Sequence, residues 1–370
     1  MSDNHRRYNA IKQGLEQLYG SKVQGHLKSN LHTLALLING IVAAGSVNLP
    51  LLATKAPATS KVESRAAKLS RWIRSTKINQ QLYWLPFIRP LLAQLSRHGK
   101  GLTLIIDGST VGRGCVALVV GVVYGGRALP VVWLVVEGQK GHFSQDQHLE
   151  LLAQVKPLIP AGTPVTFLGD GEFDGTRWQE QLAWAGENWR YVMRTAKTSQ
   201  LYRRAEERWA SYQELGVDQG QVCYWSGVGF SGEGYGNLLA VGWWESAYEA
   251  PIYLISNLSE AWQAIECYKL RFRIETLFSD HKRRGFGLES SRLNQPERLS
   301  RLLIGCALAY WWLTYLGVTA QRLEWDVILS RTERLDLSYF QLGRRFLEEL
   351  LNRGRKIPCQ LLKLPASHHF

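Results

Sequence analysis

"LTLIIDGSTVGRGCVALVVGVVYGGRALPVVWLVVE", residues 102–137, is dense in Val, Leu and Ile, and its first apolar run ends in Asp107. Branched and aromatic residues suit a pleated, half-buried surface, so the stretch reads as strands rather than helix. Gly125 and Gly126 divide the second part into a hairpin, because a two-residue turn needs left-handed backbone that glycine adopts freely. The same turn argues against a membrane span over 117–136, and "LLIGCALAYWWLTYLGV" (302–318) is short for one, so both read as buried core.

Working outward, "SQDQHLELLAQVKPL" (144–158) is a short amphipathic helix whose start is marked by Ser144. "TPVTFLGDGEFDG" (163–175) is an apolar strand ending in a second carboxylate, Asp170. "TRWQEQLAWAG" then reads as helix and "WRYVMRT" as strand. Residues 196–256 are rich in Gly, Trp and Tyr and alternate in polarity, which predicts an antiparallel β insertion; helices resume near 258. Residues 1–98 read as helical. The order predicts an α/β fold, a ribonuclease H-like mixed sheet flanked by helices, with a β-rich insertion and helical N- and C-terminal regions. Five segments follow: 1–98, a basic helical region; 99–195, the first part of the core; 196–256, the insertion; 257–325, the second part of the core; and 326–370, a C-terminal helical region. In the last, "SYFQLGRRFLEELLNRGRK" (338–356) is an amphipathic helix that either dimerises or packs on its own core.

Charge is unevenly spread. Of the net +13, residues 1–100 contribute +12 (15 Lys and Arg against three acids), residues 101–285 contribute −3, and 286–370 contribute +4. A basic segment beside an acidic middle fits a polyanion-binding region joined to something that needs carboxylates. Within "SKVESRAAKLSRWIRSTKI" (60–78), Val62, Ala66, Leu69 and Ile73 make an apolar stripe, while Lys61, Arg65, Lys68, Arg71 and Arg74 offer a surface for DNA phosphates. Five scattered cysteines without a CxxC argue against a disulfide framework or a zinc ribbon and for a reducing compartment. "MSDNHRRYNA" has no apolar signal-peptide region, and no membrane partner is expected.

Asp107 and Asp170 each end an apolar run before a glycine-containing turn. Carboxylates at strand ends in an α/β sheet face the crevice where ligands bind, although aspartate is also a common turn residue. Two of them beside an acid on a following helix make a candidate hard-cation site, because Mg²⁺ takes oxygen ligands from a few carboxylates plus phosphates. "DGEFDG" is not a calcium loop, since its twelfth position is Gln181, and "GVGFSG" (227–232) is followed by strand rather than helix, against a dinucleotide site. His142, His148 and His281 lack zinc-ligand spacing, and His368 and His369 read as a tail. "YKLRFRIETLFSDHK" (268–282) reads as one continuous helix. On it Tyr268, Arg271, Glu275 and Lys282 fall within an arc of about 60°, with Leu270, Ile274 and Leu277 on a separate apolar stripe. Arg suits bidentate phosphate binding, Lys adds a point charge and Glu can ligate a metal; a solvated helix with an Arg271–Glu275 pair fits the same residues.

The spacing Tyr268-x-x-Arg271-x-x-x-Glu275, then six residues and Lys282, resembles the Y-R-E-K signature of DDE transposases in the fourth family of bacterial insertion sequences. "LIIDGST" resembles that family's first Asp block and "VTFLGDGEFDG" its second; the resemblance covers about 100 to 325. It implies that Asp107, Asp170 and Glu275 form a catalytic, metal-binding triad for two Mg²⁺ ions, with Mn²⁺ able to substitute. It also implies that Tyr268, Arg271 and Lys282 contact DNA phosphates (the transposon-end DNA that residues 1–98 would bind); Arg273, off that strip, is assigned no role. Cut-and-paste transposition through a DNA hairpin would follow, acting on double-stranded transposon ends and target DNA, in a homodimer, in the bacterial cytoplasm at the nucleoid. Hairpin-forming members stack a flipped base on a tryptophan of the insertion; here Tyr253 is the nearest positional match, with Trp243 and Trp244 as alternatives, and all three also fit a sheet core. The competing functions are a nuclease on the same fold without strand transfer and a transposase-derived DNA-binding regulator that does not cut. A glycosidase with paired carboxylates would leave the basic N-terminal region unexplained.

Overall fold

The computed structural model describes residues 1–57, 59–97, 101–139, 141, 143–330 and 337–361. Six helices come first: α1 (Asp3–Tyr19), α2 (Gly25–Ala44), α3 (Leu49–Thr54), α4 (Val62–Arg74), α5 (Gln80–Tyr83) and α6 (Leu85–Ser96). The Val-rich stretch forms β1 (Leu102–Gly112), β2 (Cys115–Tyr124) and β3 (Arg127–Glu137). Gly125 and Gly126 both have positive φ, closing a two-residue turn between paired Tyr124 and Arg127. Then come α7 (Gln145–Val155), β4 (Val165–Gly169), α8 (Thr176–Ala185) and β5 (Trp189–Thr195). Ser144 caps α7 in a reciprocal capping box with Gln147.

β1, β2 and β3 are antiparallel neighbours, and β4 and β5 continue the sheet in parallel with β1. The resulting order, β3-β2-β1-β4-β5, is the ribonuclease H-like arrangement. Five further strands follow in sequence: β6 (Gln200–Arg203), β7 (Arg208–Ser211), β8 (Val222–Phe230), β9 (Tyr235–Trp243) and β10 (Ile252–Ser256). They do not form a separate sheet. β10 pairs with β5 on one side and β9 on the other, so one sheet of ten strands runs β3-β2-β1-β4-β5-β10-β9-β8-β6-β7.

After the sheet come α9 (Ala261–Lys269), α10 (Arg273–His281), α11 (Pro296–Arg322), α12 (Asp326–Leu329) and α13 (Tyr339–Asn352). By length and composition α2 and α11 could each cross a membrane; in this fold 89% of the most apolar window of α11 is buried inside the protein. It packs against β3, α2 and α13. The last contact brings the two backbones together: a Cβ on Gly343 would lie 1.8 Å from the Leu313 carbonyl oxygen, and one on Gly317 would lie 1.9 Å from that of Tyr339. The apolar face of α13 is thereby taken up within its own chain, with Phe340, Phe346 and Leu347 buried.

The stretch 268–282 is not one helix. A 3₁₀ turn over Leu270–Phe272 separates α9 from α10, and Lys282 lies beyond the end of α10 with non-helical backbone angles. α9 lies against β4, β5 and β9, α10 lies against β1 and β3, and the turn itself meets β4. The tightening has a physical correlate. Three residues per turn bring positions i and i+3 into line, and the Arg271 guanidinium sits 5.7 Å from the centre of the Tyr268 ring and 4.5 Å from that of Phe272.

Candidate active site

Asp107 sits within β1, 2% exposed, and its side chain faces the turn between α9 and α10. The next residue, Gly108, faces the other way, where a Cβ would meet the Phe143 ring at 2.6 Å. Asp170 follows β4 directly. Register brings the two to the same end of adjoining strands: Ile105 pairs with Leu168, the last pair of that parallel ladder, two residues before each acid. The Asp170 carboxylate accepts a hydrogen bond from the Glu172 amide at 3.0 Å, the local bond expected of a turn aspartate. Glu172 in turn accepts from the Phe143 amide at 2.9 Å, tying the loop after β4 to the start of α7.

Arg271, 6% exposed, joins two of the three acids. One terminal nitrogen lies 3.5 Å from Asp107 Oδ2 and the other 2.8 Å from Glu275 Oε1. Burial works against the charge, but Tyr268, Glu275 and Asp107 outweigh it and hold the guanidinium above its usual pKa. Burial likewise raises the Tyr268 phenol, against the opposing pull of Arg271 and Arg194, with Asp170 adding to the rise. Lys282 Nζ donates to Thr110 Oγ1 at 3.0 Å, three residues beyond Asp107 on the same strand. Arg273 is exposed.

The expected solvent-facing strip is therefore corrected. Tyr268 (1% exposed) and Arg271 are turned inward, Glu275 is half exposed, and Lys282 reaches the site from outside the helix. Among the described residues no group of three His, Cys, Asp or Glu side chains is gathered closely enough to hold a metal ion. The donor set nonetheless fits a hard cation in kind. Asp107 and Glu275 offer carboxylate oxygens to one shared positive group, here the Arg271 guanidinium, so the point between them already favours cationic charge.

The aromatic candidates separate. Trp243 is 2% exposed, edge-on to Tyr248 at 5.2 Å, and belongs to the core; burial takes it out of reach of a base. Trp244 is partly buried and donates its ring N–H to the Tyr248 carbonyl at 2.9 Å. Tyr253, opposite Gly242 on β9, lines a cavity of about 680 Å³ with Arg194, Lys197, Gln213 and Asp218. Lys61, just before α4, and Arg71 and Arg74 within it are exposed and Lys68 partly so, whereas Arg65 is held by a 2.7 Å bond to the Ala56 carbonyl. Trp72 joins Leu69 and Ile73 as the buried face of that helix, and Val62 and Ala66 stay at its margin. His148 and His281 are buried among aromatic rings; His142, His368 and His369 lie outside the described residues.

A family model described as "Transposase DDE domain" matches residues 90–312, more than half of the chain and all of the elements that carry this site. The chain belongs to that family. Its role is therefore that of a transposase, an enzyme acting in DNA transposition. Among solved structures it is similar to a piggyBac transposase synaptic complex with hairpin DNA, with 12% identity and a TM-score of 0.44 over 96% of this chain and 80% of that one. No curated protein matches the chain.

One residue of the transposase site escaped sequence reasoning. Gly169 pairs with Met193, which sets Arg194 of β5 one residue past the last pair of that ladder, as Asp170 is, and at the same end of the sheet as Asp107. The alternation in "WRYVMRT" puts an exposed arginine at the strand's end, but only the strand order brings it beside the acids.

Proposed function

We propose that this transposase moves an insertion sequence by cut and paste, with Asp107, Asp170 and Glu275 as its catalytic and metal-binding acids. The observation that carries the reading is the shared cation: inside a segment matched by a transposase family, Asp107 and Glu275 converge on one positive charge, with Asp170 at the same end of the adjoining strand. Two Mg²⁺ ions, or Mn²⁺ in their place, would supply Lewis-acid stabilisation to the attacking and leaving oxygens. Asp107 offers ligand oxygens from β1, Asp170 from the end of β4, and Glu275 from α10. Arg271, Lys282 and Tyr268 then serve the DNA backbone. For Arg271 this means exchanging its carboxylate partners for a phosphate, a trade its planar fork suits.

In the first step a water oxygen bonds to phosphorus and the bond to the 3′ oxygen breaks, leaving a 3′-hydroxyl and a 5′-phosphate. The freed 3′-hydroxyl oxygen then bonds to the phosphorus of a phosphodiester of the opposite strand, giving a hairpin, or of target DNA, as the P–O3′ bond there breaks; the attacking hydroxyl loses its proton and the departing 3′ oxygen takes one up from solvent. Lys61, just before α4, and Lys68, Arg71 and Arg74 within it meet the duplex ends, and two chains hold the two ends together in the bacterial cytoplasm. Tyr253 is the aromatic placed to stack a flipped base.

The test is incubation with Mg²⁺ and a duplex bearing the element's own ends, comparing wild type with Asp107→Ala and Glu275→Gln. Both variants are expected to lose cleavage and keep end binding. Unchanged cleavage in either would remove that residue from the triad. Cutting without strand transfer would indicate a nuclease, and binding without cutting a regulator.

A further inference from the structure

We propose that Asp280 is a positioning residue of the transposase site: paired with Arg127, it holds the loop after α10 so that Lys282 meets the DNA backbone. The inference rests on the reading of Lys282 as a phosphate contact, but it is carried by separate observations. Asp280 lies on the last turn of α10, after Glu275 and just before Lys282, and is 3% exposed. Its carboxylate lies 3.2 Å from a terminal nitrogen of Arg127, the first residue of β3, so the end of the helix is tied to the sheet that carries Asp107. Apolar residues of the same volume could stabilise such a contact as well, whereas a buried ion pair leaves a costly lone charge if either partner moves away. What the pair adds is a fixed place for the helix end.

The loop beyond is closed onto Asp280. The Asp280 carbonyl accepts from the Phe286 amide at 3.1 Å, and the Lys282 carbonyl accepts from the amides of Gly285 at 3.3 Å and Gly287 at 2.8 Å. The chain passes so near itself that a Cβ on Gly285 would lie 2.0 Å from the Asp280 carbonyl oxygen. Phe286 is buried, its ring stacked on His281 at 5.7 Å and edge-on to Phe340 of α13 at 5.4 Å. α13 also grips the loop from outside, Gln341 and Arg344 donating to the Arg284 carbonyl at 3.4 and 3.3 Å. Lys282 is thus held at its backbone while its Nζ reaches Thr110 of β1. The Asp280–Arg127 pair links this bracket to the sheet, and protons can open it. Burial lifts the Asp280 pKa to about 6 against the pull of Arg127, Arg284 and Arg344, with the Tyr310 phenol of α11 facing it. His281, pushed down to about 3 by burial, and Tyr310, pushed up by burial, both stay neutral around pH 6. Below about pH 6 Asp280 therefore gains a proton and the pair loses its attraction; above it the pair is charged on both sides.

The experiment uses the full chain in EDTA and a fluorescent duplex of mixed sequence, so that binding is read without cleavage. At about pH 7.5, Lys282→Ala is expected to weaken binding about tenfold, the loss of one charge-assisted phosphate contact. In an Asp280→Asn or Arg127→Gln background the same change should cost less than about twofold, because the lysine is no longer held in place. Arg127→Lys, which keeps the charge, should keep most of the tenfold effect. With Asp280 and Arg127 both native, the gap between wild type and Lys282→Ala should narrow several-fold at about pH 5, since lysine ordinarily ionises far above this window and only the bracket changes. The same tenfold loss in every background would overturn the proposal and leave Asp280 a residue of stability alone. A gap of equal size at both pH values would overturn it too, without any need for the Asp280→Asn chain to fold. A Lys282→Ala chain that binds as wild type does at about pH 7.5 would instead refute the reading of Lys282 on which the proposal stands.

Discussion

Replacing Arg271 with glutamine isolates the positive charge between the acids while keeping much of the side chain's bulk. Asp107 is 2% exposed and its carboxylate lies 3.5 Å from a guanidinium nitrogen. Removing one half of a buried ion pair costs about 3–5 kcal/mol, because the remaining charge keeps its desolvation penalty. Glu275, half exposed at its side chain, adds no more than about 1 kcal/mol, since water can replace its partner. An unfolding entropy of about 2.1 cal/mol/K per residue over 370 residues converts the main term into a fall in melting temperature of about 4–6 °C. The assay is thermal unfolding in EDTA, repeated over a Mg²⁺ titration without DNA. In EDTA the variant should melt lower than wild type. Mg²⁺ should then raise the variant's melting temperature more than that of wild type, because the cation no longer displaces a bound guanidinium; saturation to about 100 times Kd is worth about 2.7 kcal/mol. Equal melting temperatures in EDTA would refute the buried-pair reasoning. Equal Mg²⁺ responses would refute the idea that guanidinium and metal compete for one place.

Two further outcomes concern the scaffold. His148 is buried with neither ring nitrogen hydrogen-bonded among the described residues, and burial pushes its pKa down to about 4. Its folded pKa is thus depressed, so the unfolded chain takes up the proton first and stability falls as pH drops from about 6.5 to about 4. His148→Phe should remove up to about 3 kcal/mol of that acid loss, measured as urea midpoints across the window, and unchanged acid sensitivity would count against it. Gly343→Ala forces a methyl group onto the Leu313 carbonyl and should cost several kcal/mol in denaturant unfolding, roughly at or above the 1–3 kcal/mol of ordinary overpacking; a neutral effect would mean that the two helices part without penalty.

The sheet was legible because its signals are local. Val-rich runs, the Gly125-Gly126 turn and the capping serine Ser144 each act within a few residues; Asp170 closes its strand as expected, whereas β1 runs on past Asp107 to Gly112. The turn at Leu270–Phe272 was not legible: "YKLRFRIE" has no glycine or proline to interrupt a helix. What accompanies the break is tertiary, with Arg271 drawn towards Asp107 and its guanidinium set against the Tyr268 and Phe272 rings. Arg194 was hidden for a related reason, since its place beside the acids depends on which strands adjoin. Trp243 and Tyr253 were indistinguishable as candidates because alternation tells which residues share a face and not which face meets a cavity. For "SYFQLGRRFLEELLNRGRK" the amphipathic pattern was correct, but only the glycine contacts reveal that α11 is its partner.

The strand β10 is held between two ladders, and this constrains how the gene can change. The strands β6 to β9 are joined by turns where residues can be gained or lost with local effect. A single-residue deletion inside β10 is different. It would invert the faces of the strand, turn Tyr253 away from its cavity and shift the entry into the helices that bear Arg271 and Glu275. Length variation in this transposase is therefore expected to collect at the rim of the sheet, with the span from β10 to Glu275 behaving as a ruler of fixed length.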